Sequence, residues 1–205
     1  MNHHYQKIDN FYDIYDLPAA RKMLTRSMKA ACAEQVWEQL PANVLFFTEQ
    51  LTILSKAAIK IIENHDFINE VEIEPGTDNG VWMLNQYALY CGWCKYRTPW
   101  DYFPRHLSKK EFLDPYAALQ KFSAYHNSAE WKKVIANIRY YALSHESIFE
   151  VIPKTCFIGT WNQLHKLLEA THLIEVRQST PQPKPRRKWQ SPDSEPVKNE
   201  NNSVS

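Results

Sequence analysis

The run VLFFTEQLTILSKAAIKIIENH, residues 44–65, sets the class of protein. Val44, Phe47, Leu51, Leu54, Ala58, Ile61 and His65 step through it by three and four in alternation, which places all of them on one side of an α-helix. Burying the apolar members contributes on the order of 10 kcal/mol, at roughly 1.5–3 kcal/mol for each large side chain before conformational entropy is subtracted. The flanking positions Thr48, Gln50, Ser55, Ala57 and Ile62 lack the charges that steer pairing of two coiled-coil chains. The stripe is therefore expected to face its own bundle.

Upstream, Asp16 is a good N-cap with Pro18 in the first turn, and Leu17, Ala20, Leu24, Met28, Ala31 and Cys32 mark a helical face. A short helical piece is expected around 35–40, stopping at Pro41, before the striped helix begins near Ala42. Downstream, Val71-Glu72-Ile73-Glu74 alternates like a strand, and Pro75-Gly76-Thr77-Asp78-Asn79-Gly80 reads as a turn cluster. Leu84, Tyr87, Ala88 and Cys91 suit a helix over about 81–95, and 98–107 reads as an aromatic loop. Four further helix starts follow: the capping box Ser108-Lys109-Lys110-Glu111, the pair Asp114-Pro115, Asn127 with Glu130, and a capping box at Thr160-Trp161-Asn162-Gln163. The helix opened by Asn127 has Trp131, Val134, Ile135, Ile138 and Tyr141 as its core face, and the one opened by Thr160 leads into Leu164, Leu167 and Leu168. Leu173-Ile174-Glu175-Val176 then reads as a short strand.

These signals predict a mostly α, single-domain helical bundle of about six or seven helices with a minor β element. Its expected limits are a flexible N-terminus over 1–10, a helical domain over 11–177, and a disordered basic, Pro-rich tail over 178–205. Hydrophobic residues make up 44% and aromatic residues 13% of the 205, enough for a packed core without disulfides or metal. A net charge of +1 gives no global pull toward nucleic acid or anionic lipid, so such attraction has to come from a local patch. With 4 glycines the chain is poorly suited to tight hairpins and phosphate-cradling loops. No apolar run approaches the ~20 residues that span a bilayer, and the opening residues lack the apolar stretch of a secretory signal. The 4 cysteines are then expected as reduced thiols in a cytoplasmic protein.

Five constellations carry candidate chemistry. Cys91-Gly92-Trp93-Cys94 has the spacing of half a zinc site or of a redox pair, but no second paired motif completes it. The alternative is Cys91 in the core and Cys94 near a helix end. Arg139 and His145, six positions apart, resemble the Arg-x(4–6)-His motif of the HEPN superfamily of helical proteins, many of them dimeric ribonucleases. The resemblance implies that Arg139 holds a phosphate while His145 assists proton transfer; the alternative is an exposed Arg and a His at a helix C-terminus. Residues 160–177, a helix followed by His172-Leu173-Ile174-Glu175-Val176-Arg177, look like the recognition helix and first wing strand of winged-helix DNA-binding domains. On that resemblance Asn162, Gln163, His165 and Lys166 are the side chains that would reach base edges. The alternative is a final helix and strand closing the core. In the tail, Lys184, Arg186, Arg187, Lys188 and Trp189 could grip phosphates and stack on a base without sequence preference; the alternatives are a solubilising tail or a docking peptide for an acidic partner. Trp100, Tyr102, Phe103, Arg105 and His106 either pack down on the helices or form an exposed recognition surface.

Glycine-rich phosphate loops, His-Glu-x-x-His, Gly-x-Ser-x-Gly and calcium-loop motifs are absent from the sequence. The first expectation is a non-enzymatic cytosolic interaction or regulatory protein with an unknown protein partner, no cofactor and no membrane role. The alternatives are a nucleic-acid-binding regulator using 160–177 and the tail, and a HEPN-like ribonuclease using Arg139 and His145.

Overall fold

Four helix starts in the computed structural model fall where capping chemistry predicts them. The structure describes residues 3–33, 37, 40–65, 67, 90, 91 and 99–179. In chain order the helices are α1 (His3–Ile14), α2 (Leu17–Cys32), α3 (Pro41–Glu63), α4 (Pro99–Tyr102), α5 (Lys109–Leu113), α6 (Pro115–Tyr125), α7 (Ser128–Leu143) and α8 (Lys154–Ser179), with a 3-10 turn at Ile148–Glu150 before α8. No strand occurs among the described residues, and the fold is a helical bundle. None of these helices is long and apolar enough to cross a membrane.

The Asp16 carboxylate accepts from Ala19 N at 2.7 Å, so one of the orphan donors of α2 is satisfied. Ser108 and Glu111 form a reciprocal capping box on α5, and Asn127 and Glu130 form another on α7. Asp114 caps α6, with Pro115 at its first position. The stripe on α3 is buried from Val44 to Ile61, and Thr48 and Ser55 bury with it because their hydroxyls donate to Val44 O and Thr52 O of the same helix. His65 does not belong to the stripe. The helix ends at Glu63, and His65 is exposed with φ 53, the left-handed geometry that terminates a helix.

One continuous core runs from Tyr5 to Ile174. In it α2 and α3 pack on α7, α6 packs on α8, and α1 bridges α3 and α8. Trp131, fully buried on α7, stacks on Phe122 of α6 with ring centroids 4.2 Å apart.

Several expectations are corrected. The N-terminus is not a flexible lead-in from residue 3 onward: α1 buries Tyr5, Ile8 and Phe11, and the Tyr5 and Tyr116 hydroxyls meet at 2.9 Å. Trp37 is not helical; it is buried with its N–H donated to Ala142 O, and Pro41 opens α3 rather than ending a helix. Thr160 is not an N-cap but a buried residue inside α8, which starts after Pro153. Leu173–Val176 is helix, not strand. The central helix α8 buries Leu167, Leu168, Ala170, Thr171, Leu173, Ile174 and Val176 all around its circumference, so the amphipathic period disappears there. The strand expected at 71–74 and the helix expected at 81–95, apart from Tyr90 and Cys91 in a turn, lie outside the described residues.

Candidate functional site

The apolar face of α2 enters the core through Leu17, Ala20, Leu24, Met28 and Ala31. That leaves Lys22, Arg26 and Lys29, spaced four and three apart, on a shared outer face. All three are exposed. Opposite them stands Arg105, carried by the loop that follows α4.

A buried carboxylate fixes that loop. Glu169 of α8 is fully buried; its Oε1 accepts from Arg21 Nη2 at 2.6 Å and Arg105 N at 3.0 Å. Its Oε2 accepts from His106 N at 2.8 Å and Leu107 N at 3.1 Å. Arg21 in turn donates to the carbonyls of Asp101 and Phe103 at 3.0 and 2.9 Å. Every contact is charge-assisted, so the loop's backbone is held as firmly as a secondary-structure element. Burial lowers the Arg21 pKa and the adjacent Glu169 opposes that shift.

The result is an open cavity of about 430 Å³ lined by Pro18, Arg21, Lys22, Thr25, Arg26, Lys29, Asp101 and Arg105. Once Arg21 is paired with Glu169, four cations face a lone lining carboxylate, Asp101. Among the described residues none of those four makes a side-chain ion pair or hydrogen bond. Arg21 Nε is buried and has no partner. An adjoining apolar hollow of about 230 Å³ shares Thr25 and Lys29 and is otherwise lined by Met28, Cys32, Ala33, Phe157 and Trp161.

Beneath Thr25 lies a histidine pair. The His106 and His165 rings stack 4.3 Å apart at 10°, and His165 Nε2 sits 3.4 Å from Thr25 Oγ1. Burial, then the neighbouring His106 and Arg21, pull His165 down to about 3. Burial likewise takes His172 down to about 4, against a hydrogen bond to Tyr90 O. Both rings are neutral when folded, whereas in the unfolded chain they protonate below about pH 6.5. The unfolded state therefore binds more protons, and stability present above that pH is lost as pH falls toward 4 and then 3. Between pH 6.5 and 4.5 the loss is expected at up to about 1.4 kcal/mol per pH unit for each histidine. Urea midpoints across that range check it: a His165→Asn variant has the shallower slope, and an unchanged slope refutes the assignment.

The residues singled out by sequence distribute unevenly. Of the aromatic loop, Arg105 lines the cavity, His106 joins the histidine pair, and Tyr102 is buried against His172. Phe103 is partly buried with Trp100 stacked on it at 5.6 Å, and Trp100 stays 61% exposed. Arg139 lines a separate groove of about 390 Å³ between α3 and α7, which His145 does not line, and no contact joins the two residues. Of the winged-helix side chains, Asn162 is exposed but His165 is buried and Lys166 Nζ is held by Glu111 at 2.8 Å, and residues 173–176, expected as the wing strand, are helix. Cys91 is buried in a turn, Cys94 lies outside the described residues, and no group of metal-ligating side chains gathers among those described. The tail residues Lys184, Arg186, Arg187, Lys188 and Trp189 are also outside them. Lys22, Arg26 and Lys29 were passed over in the sequence, although their spacing of four and three on α2 is the signal that would have found them; Glu169 carried no such signal, since its partners are 62 to 148 positions away. No protein-family model, no curated protein and no solved structure matches the chain.

Proposed function

We propose that this is a non-enzymatic contact protein that holds an anionic macromolecular partner in the groove between α2 and Arg105. The supporting observation is the convergence of Lys22, Arg26, Lys29 and Arg105, none of them ion-paired, in a chain whose net charge is only +1. Like charges held together without counter-charges repel one another, and a bound polyanion relieves that repulsion. Thr25 is the hydroxyl that lines the groove, and the His165 ring 3.4 Å from it is drawn down by burial to about 3 and has no orienting partner on Nδ1. It is therefore a poor base, and the groove favours binding over catalysis. Cys32 and Cys156 are unpaired thiols, in keeping with a reducing compartment such as the cytoplasm.

Fluorescence anisotropy with labelled inorganic polyphosphate tests this in the full chain. The wild type binds with an affinity that falls as salt rises. K22E/R26E/K29E binds about tenfold or more weakly and with a flatter salt dependence. Replacing Lys184, Arg186, Arg187 and Lys188 by Gln leaves most of the affinity in place. Equal binding by the triple variant, or loss confined to the tail variant, overturns the proposal.

A further inference from the structure

We infer that the occupant of this groove is single-stranded nucleic acid, with phosphates along Lys22, Arg26, Lys29 and Arg105 and one unstacked base in the hollow formed by Met28, Cys32, Phe157 and Trp161. The inference rests on the anion-binding reading of the groove and goes beyond it in naming the ligand. Thr25 and Lys29 line both compartments, so a chain leaving the cationic groove passes directly into the apolar hollow. From Lys22 to Lys29 the helix advances about 10 Å at 1.5 Å per residue. A stacked strand advances ~3.4 Å per nucleotide, so that length matches about three phosphates.

The hollow supplies what a phosphate groove alone lacks. Phe157 is buried as its floor, while Trp161 is 37% exposed and therefore has ring surface left to cover. Nucleobases meet that demand because every base has a π-face, and aromatic stacking is the usual way sequence-tolerant proteins hold single strands. Bases in a duplex are already stacked on their neighbours and cannot enter. An acidic peptide matches the cations, but its carboxylates give Trp161 nothing to stack on. No Asn or Gln lines either compartment, so the bidentate amide contact that selects adenine is missing and stacking is the main hold on the base. Arg21, more than nine-tenths buried and lining the groove, also has a partnerless Nε.

The test is anisotropy of the full chain with four labelled probes: a mixed-sequence single strand, its duplex, a strand of the same length with abasic sites throughout, and poly-glutamate. Wild type is expected to prefer the single strand over the abasic strand by roughly tenfold or more, the yield of one stacked base. Trp161→Ala abolishes that preference by bringing single-strand affinity down to the abasic level, whereas Trp161→Phe keeps most of it. The same comparison with Trp189→Ala keeps the preference, which locates the stacking ring in the folded domain. If wild type binds the abasic strand, the duplex or poly-glutamate as tightly as the single strand, the nucleic-acid assignment falls while the groove reading stands. If no probe binds, both fall.

Discussion

Glu169→Gln is expected to destabilise the protein by about 3–5 kcal/mol, the cost of leaving a buried charge without its counter-charge. The substitution preserves volume, so no cavity contributes. It removes the charge facing Arg21 and points an amide NH₂ at one side of a site built entirely of donors: Arg21 Nη2 and the N–H groups of Arg105, His106 and Leu107. Arg21→Met is the milder change. It strips one partner from Glu169, yet three backbone N–H groups still solvate the carboxylate. The double variant R21M/E169L separates this site from an ordinary buried ion pair. Isolated pairs often exchange for apolar residues without loss, but here the exchange takes the acceptor from three backbone N–H groups at a part-buried site and stability does not recover. Urea denaturation at pH 7 reads each variant, with the midpoint shifting at constant m-value. Recovery of wild-type stability by the double variant overturns the account.

The same clamp explains how much of the site was legible in the sequence. Local signals survived contact with the structure where the chemistry is local: Asp16, Ser108, Asp114 and Asn127 cap the helices they announce, and the α3 stripe is core from Val44 to Ile61. Reading failed where burial is decided at long range. Leu173-Ile174-Glu175-Val176 reads as a strand because apolar side chains occur consecutively, but they do so because α8 is surrounded by α1, α2, α3 and α6 and has no solvent face there. Residues 1–10 read as a lead-in because their apolar residues are sparse among polar ones, yet Tyr5 and Ile8, with Phe11, suffice to seat α1 against α3 and α8. Arg105 stood in the aromatic loop as a candidate contact. Its alignment with Lys22, Arg26 and Lys29 could not be seen, because the alignment is made by Glu169, a residue that composition treats as another surface charge.

Trp131→Ala is the other large effect, expected at about 3–5 kcal/mol, the usual cost of deleting a buried aromatic side chain. Two separable contributions make it up. The ring is fully buried and stacked on Phe122 at 4.2 Å and 7°, so its loss opens a void between α6 and α7 that close-packed neighbours fill only in part. Its Nε1–H also donates to Phe122 O at 3.1 Å. Phe122 lies in the last turn of α6, where carbonyls have no partner within the helix, so the indole serves as a long-range cap. Trp131→Phe keeps most of the stacking and removes only the donor, and its expected cost is about 1–2 kcal/mol, a hydrogen bond lost to a buried carbonyl. The spacing between the two variants is therefore the informative quantity. If Trp131→Phe costs as much as Trp131→Ala, the cap rather than the packing holds α6 against α7; if it costs nothing, the carbonyl has found another donor and the cap is idle.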